Sequence, residues 1–128
     1  MDSFIESARR HRTDARYLAA DQRYQNGGHL IGFAAECLAK EVLTNAGIVI
    51  DRRSEFWGHF PLLGDRIRLD ARTRAMVALI PILRSAVFLA GWSANSRYEA
   101  AMPESDAETR YLDWRADVDA LFHAVGVP

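Results

Sequence analysis

The 128-residue chain contains a single cysteine, Cys37, a single lysine, Lys40, and four prolines. One thiol cannot close an internal disulfide, so the fold has to rest on an apolar core, and a reduced, cytoplasmic setting is expected. The segment from Met1 to Arg16 is charged throughout and lacks the apolar stretch of a leader peptide. The longest apolar run, Met76 to Trp92, is interrupted by Pro81, Arg84 and Ser85. That leaves it short of the roughly 18 apolar residues that a membrane span needs, so no membrane association is expected. A net charge of -1 excludes a basic surface covering the whole chain. Fifteen arginines stand against the one lysine. A GC-rich coding sequence produces such a bias unaided, so only the positions of the arginines can argue for phosphate binding.

Motifs with built-in chemistry are also missing. The sequence has no Cys-x-x-Cys pair, His-Glu-x-x-His zinc motif, P-loop, Gly-x-Gly-x-x-Gly turn or Gly-x-Ser-x-Gly elbow. Its four histidines, His11, His29, His59 and His123, do not have ligand spacing. Neither a metal nor a cofactor is expected. Cys37 falls among Phe33, Ala34 and Leu38 on the apolar side of its helix, where burial raises a thiol's pKa and argues against a nucleophile.

With 49% hydrophobic and 26% charged residues, the composition is that of a globular protein, and the length suits one domain over residues 1–128. Its organising stretch is His29 to Ala46. At about 100° per residue, Leu30, Ile31, Phe33, Ala34, Cys37, Leu38, Val42 and Leu43 cover most of the circumference. His29, Glu36, Lys40 and Glu41 form one narrow polar line. A helix of this kind is central, and its polar line must face a solvent slit or floor a site. Glu36 and Lys40 have the i,i+4 spacing of a helix-supporting ion pair; alternatively, they point toward Arg97 and Tyr98 and form a polar pocket with Asn95 and His59.

Ser3-Phe4-Ile5-Glu6 reads as a capping box that opens a first helix, which Gly27-Gly28 then ends. Arg9, Arg12, Arg16 and Arg23 share one side of that helix, either as a solvated flank or as a stripe tracking phosphates. Ala46-Gly47 ends the central helix, and Phe56 and Trp57 in the following polar loop are expected to pack back on the body. A short third helix begins around Pro61. Asp70 caps a long apolar fourth helix through Met76, Leu79, Leu83, Val87 and Phe88 to Gly91, kinked at Pro81. One face of so apolar a helix calls for a second copy of the chain. Ser105-Asp106-Ala107-Glu108 caps the last helix, with Tyr111, Trp114, Val118, Leu121 and Phe122 inward and Asp113, Arg115, Asp117 and Asp119 outward. The fold class is thus all-α, an up-down bundle of four to five helices.

Ala34-Ala35-Glu36, then Lys40, then Gly58-His59 with Leu62-Leu63, and finally Arg97-Tyr98 after an apolar stretch, resemble the HEPN family of small helical domains in order and spacing. The resemblance covers Gly27 to Tyr98. It implies a HEPN-like homodimer that docks a nucleotidyltransferase or antitoxin partner, or that binds RNA or a nucleotide. In many members it implies a metal-independent ribonuclease of toxin type.

Catalytic members place a His four to six residues after an Arg, to act on the attacking hydroxyl while the Arg holds the phosphate. Here Arg97 is followed by Tyr98-Glu99-Ala100-Ala101-Met102-Pro103-Glu104, with no His. Arg97 and Tyr98 are the catalytic candidates, and Tyr98, with a phenol pKa near 10, is a poor base at neutral pH. Glu36, Lys40, His59, Asn95, Arg9, Arg12 and Arg16 are the candidates for ligand or phosphate binding. The leading reading is a dimeric binding module. The alternative is a ribonuclease with a variant site. Arg97 divides the two, since it either holds a phosphate in an open cleft or clamps onto Glu36.

Overall fold

The computed structural model describes residues 3–69, 80–83 and 87–128. Every regular element among them is helical, and none is a strand: α1 (Phe4–Ala20), α2 (Tyr24–Asn45), α3 (Leu62–Leu69), α4 (Ile80–Leu83) and α5 (Glu104–Val125), with a 3₁₀ turn at Ala94–Tyr98. Ser3 caps α1 as its spacing predicts, its Oγ accepting from the Glu6 backbone N–H. No helix among the described residues is long and apolar enough to cross a membrane.

α2 is the central element, packed between α1 and α5. Ile31, Ala34, Ala35, Leu38, Ala39 and Leu43 are fully buried in a core shared with Ala8 and Ala15 of α1 and with Tyr111, Val118, Leu121 and Phe122 of α5. Phe56 and Phe60 from the loop after α2, with Leu63 and Ile67 of α3, extend that core. Phe56 folds back as expected, while Trp57 stays 43% exposed.

Four expectations need correction. The first helix ends at Ala20 rather than at Gly27-Gly28, the reversal being made by Asp21 and Gln22, the latter at φ +61°. The glycines lie inside α2 and serve close approach instead. A Cβ at Gly27 would stand 3.2 Å from the Ala15 carbonyl oxygen, one at Gly28 2.9 Å from the Trp114 ring, and one at Gly32 2.0 Å from Trp92. The last helix begins at Glu104 with Pro103 at its cap position, which places Ser105 inside it. Ser105 gives its carbonyl to the Thr109 hydroxyl instead of capping.

Of the long fourth helix, the described residues show the four-residue α4 and then a turn at Val87–Ala90, with Leu89 at φ +50°. Asp70, Met76, Leu79, Arg84 and Ser85 lie outside the described residues. Phe88 is half-buried and meets Phe60 of its own chain at 5.6 Å between ring centroids. Finally, Asp117 and Asp119 do not simply face outward. Asp117 accepts from the Leu89 backbone N–H at 2.8 Å, and Asp119 receives Arg12 of α1.

Candidate functional site

The polar line of α2 separates into two clusters on either side of Phe33. In the first, Glu36 and Lys40 are each 6% exposed, too buried to act as an ordinary surface pair. Both Glu36 oxygens are engaged. Oε1 lies 2.6 Å from His59 Nδ1, and Oε2 receives Lys40 Nζ at 3.4 Å. Lys40 Nζ also donates to the Trp57 carbonyl at 2.9 Å and sits 5.5 Å from the centre of the Trp57 ring. A buried charge is tolerable only when it is paired and hydrogen-bonded, and this network meets that condition. Its effect is to pin the loop before α3 to the central helix.

The second cluster starts from Trp92, 2% exposed, whose indole N–H donates to the carbonyls of Gly28 and His29, both at 3.2 Å. Gly32 makes room for this indole. His29 stacks on Trp92 at 6.3 Å and meets Phe33 edge-on at 4.9 Å, which fixes its ring. The 3₁₀ turn follows Trp92 directly. Ser93 caps it, accepting from the Asn95 backbone N–H, and Ser96 Oγ lies 2.9 Å from His29 Nδ1. Burial lowers the basicity of His29, and the positive charge of Arg97 and the neighbouring His11 lower it further.

His29, Ser96 and Arg97 line an open cleft of about 590 Å³, whose other walls are the α1–α2 reversal, including Arg23, and the approach to α5. Two of its carboxylates are already matched, Asp21 by Arg23 at 2.9 Å and Glu99 by Arg110 at 3.4 Å. Arg97 is exposed, with its guanidinium 4.8 Å over the adjoining Tyr98 ring, and among the described residues it has no carboxylate partner. The clamp from Arg97 to Glu36 is therefore absent, because His59 and Lys40 already occupy the carboxylate.

The predicted residues consequently fall in different places. Glu36, Lys40 and His59 come together, whereas Arg97 and Tyr98 stand on the cleft side and Asn95 is exposed on the same turn. Arg12 is committed to α5: Nε and Nη2 reach Asp119 Oδ1 at 3.1 and 2.7 Å, and the guanidinium lies 4.2 Å from the Phe122 ring centre. Arg16 stands 3.7 Å from the same oxygen, and Arg9 is exposed. The stripe on α1 is thus partly a fastening between helices.

His29 and Ser96 are two cleft residues that were not among the candidates. Sixty-seven positions separate them, so no spacing rule links the two. The available signal was that His29 shares the polar line of α2 with Glu36 and Lys40.

Among the described residues, no group of three or more His, Cys, Asp or Glu side chains is placed to hold a metal ion. Burial pushes the Cys37 thiol up to about 11, with the Glu36 charge adding to the shift. No family model, no curated protein and no solved structure matches the chain.

Proposed function

We propose that the chain is a HEPN-like binding module that takes a phosphate-bearing ligand, an RNA end or a nucleotide, in the cleft over Arg97. The observation that carries this reading is the exposed guanidinium of Arg97 on a cleft wall, which has no carboxylate partner among the described residues. A planar fork of donors without a carboxylate partner suits a phosphate. Binding of a short RNA carrying a terminal phosphate tests it. Arg97→Ala should lower affinity at least tenfold and leave the melting temperature nearly unchanged, and wild-type affinity should fall as salt rises. Unchanged affinity in Arg97→Ala would refute the reading.

The resemblance also carries a homodimer and a nucleotidyltransferase-type or antitoxin partner. The exposed apolar side chains Leu62, Leu69 and Val87 support association. Light scattering at monomer mass in dilute buffer would count against the dimer.

A second reading, metal-independent cleavage of RNA by a variant site, is favoured by the imidazole of His29 beside Arg97, which arrives from α2 instead of following Arg97 in sequence. Incubating the protein with total RNA in the presence of a chelator tests it. RNA left intact by the wild type would remove this reading.

A further inference from the structure

The hydroxyl of Ser96 settles how His29 meets a ligand. Ser96 Oγ lies 2.6 Å from the Ser93 carbonyl oxygen and 2.9 Å from His29 Nδ1. A carbonyl oxygen has no proton to give, so the short contact to Ser93 uses the only proton that the Ser96 hydroxyl has. Ser96 can then meet His29 only as an acceptor, which requires the proton on His29 Nδ1. Trp92 and Phe33 hold the ring plane, and Nδ1 is the ring nitrogen within hydrogen-bond distance of Ser96. In the neutral ring, Nε2 therefore carries a lone pair, and among the described residues it has no hydrogen-bond partner.

We propose that Ser96 is a positioning residue that locks His29 as a hydrogen-bond acceptor, so that the cleft selects a ligand bearing a free hydroxyl beside its phosphate. The inference rests on the reading that Arg97 receives the phosphate. Given that phosphate, a group at His29 must donate a hydrogen bond. A phosphate oxygen without a proton cannot do so, and a ribose 2′-hydroxyl next to a 3′-phosphate can. The low basicity of His29 keeps the ring neutral and its lone pair available near pH 7. Ribose is thereby told from deoxyribose by one nitrogen, the 2′-hydroxyl being the group that distinguishes the two sugars.

The test uses the full chain with adenosine 3′-monophosphate and its 2′-deoxy analogue as probes, measured by calorimetry at pH 7.5. The wild type should prefer the ribonucleotide by about tenfold, the worth of one hydrogen bond. Ser96→Ala should bring the ratio close to one while the deoxy analogue binds as before, and Ser96→Thr, which keeps a hydroxyl, should retain the preference. Nitrogen-15 correlation spectra of the ligand-free protein should show His29 protonated at Nδ1 in the wild type and losing that preference in Ser96→Ala. Equal affinity for the two nucleotides, with both binding lost in Arg97→Ala, would overturn the hydroxyl selection and leave the phosphate reading standing. A wild-type His29 protonated at Nε2 would overturn the lock itself. If neither nucleotide bound, the phosphate reading would fall and this inference with it.

Discussion

Gly32→Ala is the substitution for which the structure and simple helix propensity disagree most. In an exposed helix interior, replacing Gly by Ala stabilises by about 1 kcal/mol. At Gly32, however, the new methyl would sit 2.0 Å from Trp92 Cε2 and 2.1 Å from its Nε1, whereas ordinary contact begins at 3.4 Å. The indole would have to retreat by more than about 1 Å, and at 2% exposure it has no room to do so. Overpacking of this kind costs about 1 to 3 kcal/mol. Moving the ring also pulls its N–H away from the Gly28 and His29 carbonyls, and an orphaned buried donor costs about 1 to 3 kcal/mol more. After the propensity gain, a net loss of about 3 kcal/mol remains, a fall in melting temperature on the order of 10 °C for a domain this size.

Urea unfolding followed by circular dichroism measures the effect. Gly58→Ala is the control, since its nearest neighbour, Arg66 Nη1, would lie 3.6 Å from the new methyl, and it should change stability by less than about 0.5 kcal/mol. In a Trp92→Leu background most of the Gly32→Ala penalty should vanish, because the atoms it strikes are gone. A Gly32→Ala protein as stable as the wild type, or an equal penalty in both backgrounds, would refute the assignment of Gly32 to the Trp92 contact.

Arg12→Ala should destabilise by about 1 to 2 kcal/mol, below the full worth of a buried charged hydrogen bond because Asp119 is 38% exposed, and Arg12→Lys should restore only part of it; an Arg12→Ala chain of unchanged urea midpoint would contradict the fastening of α1 to α5. Cys37, with its thiol pushed up to about 11, should alkylate with iodoacetamide at pH 8 at roughly a thousandth of the rate of a fully ionised thiolate, and a rate like that of a free exposed thiol would contradict its burial. His11 and His29 both have lowered basicity, chiefly through burial, so the folded state binds fewer protons there than the unfolded chain. Their contribution to stability is complete above the unfolded value of 6.5 and is lost as pH falls through the lower folded values. The urea midpoint should therefore drop between pH 7.5 and 5.5, with Asp117, whose carboxyl is raised mainly by burial, acting in the opposite sense as the medium becomes acidic; a midpoint that rises across that window would reverse the sign argued here.

What the sequence disclosed follows from how local each signal is. The central helix was legible because its apolar periodicity runs unbroken, and the cap at Ser3 was legible because a cap is a contact between near neighbours. Gly27-Gly28 misled because glycine has two uses, to break a helix and to let another element come close, and only the positions of Ala15 and Trp114 decide between them. The capping pattern at Ser105 was displaced by two residues because Pro103, with its restricted φ, sets the start of α5 first. Asp119 looked like surface charge because nothing within α5 shows that Arg12, 107 positions earlier, comes to rest on it. Of the cleft, Arg97 was found by resemblance. The partnership of His29 with Ser96 was beyond any spacing rule because it depends on Trp92 docking against Gly32.

On the proposed reading the two polar clusters divide labour, and their separation can be measured. Glu36 is held by Lys40 and His59 with no help from Arg97, so stability and ligand binding should respond to different substitutions. Lys40→Ala leaves a carboxylate that is 6% exposed with only the His59 contact, and it also frees the Trp57 carbonyl. The cost of breaking a buried pair is about 3 to 5 kcal/mol, and the surviving His59 bond puts this case near about 3 kcal/mol. The cleft is anchored independently, through Trp92 to Gly28 and His29, so folded Lys40→Ala protein should still bind a phosphate-bearing RNA with nearly wild-type affinity. Arg97→Ala should give the reverse, losing binding while keeping the urea midpoint. If Lys40→Ala abolished binding under conditions where circular dichroism shows it folded, the two clusters would be one site bridged across Phe33, and the buried Glu36 network would have to be counted as part of the cleft.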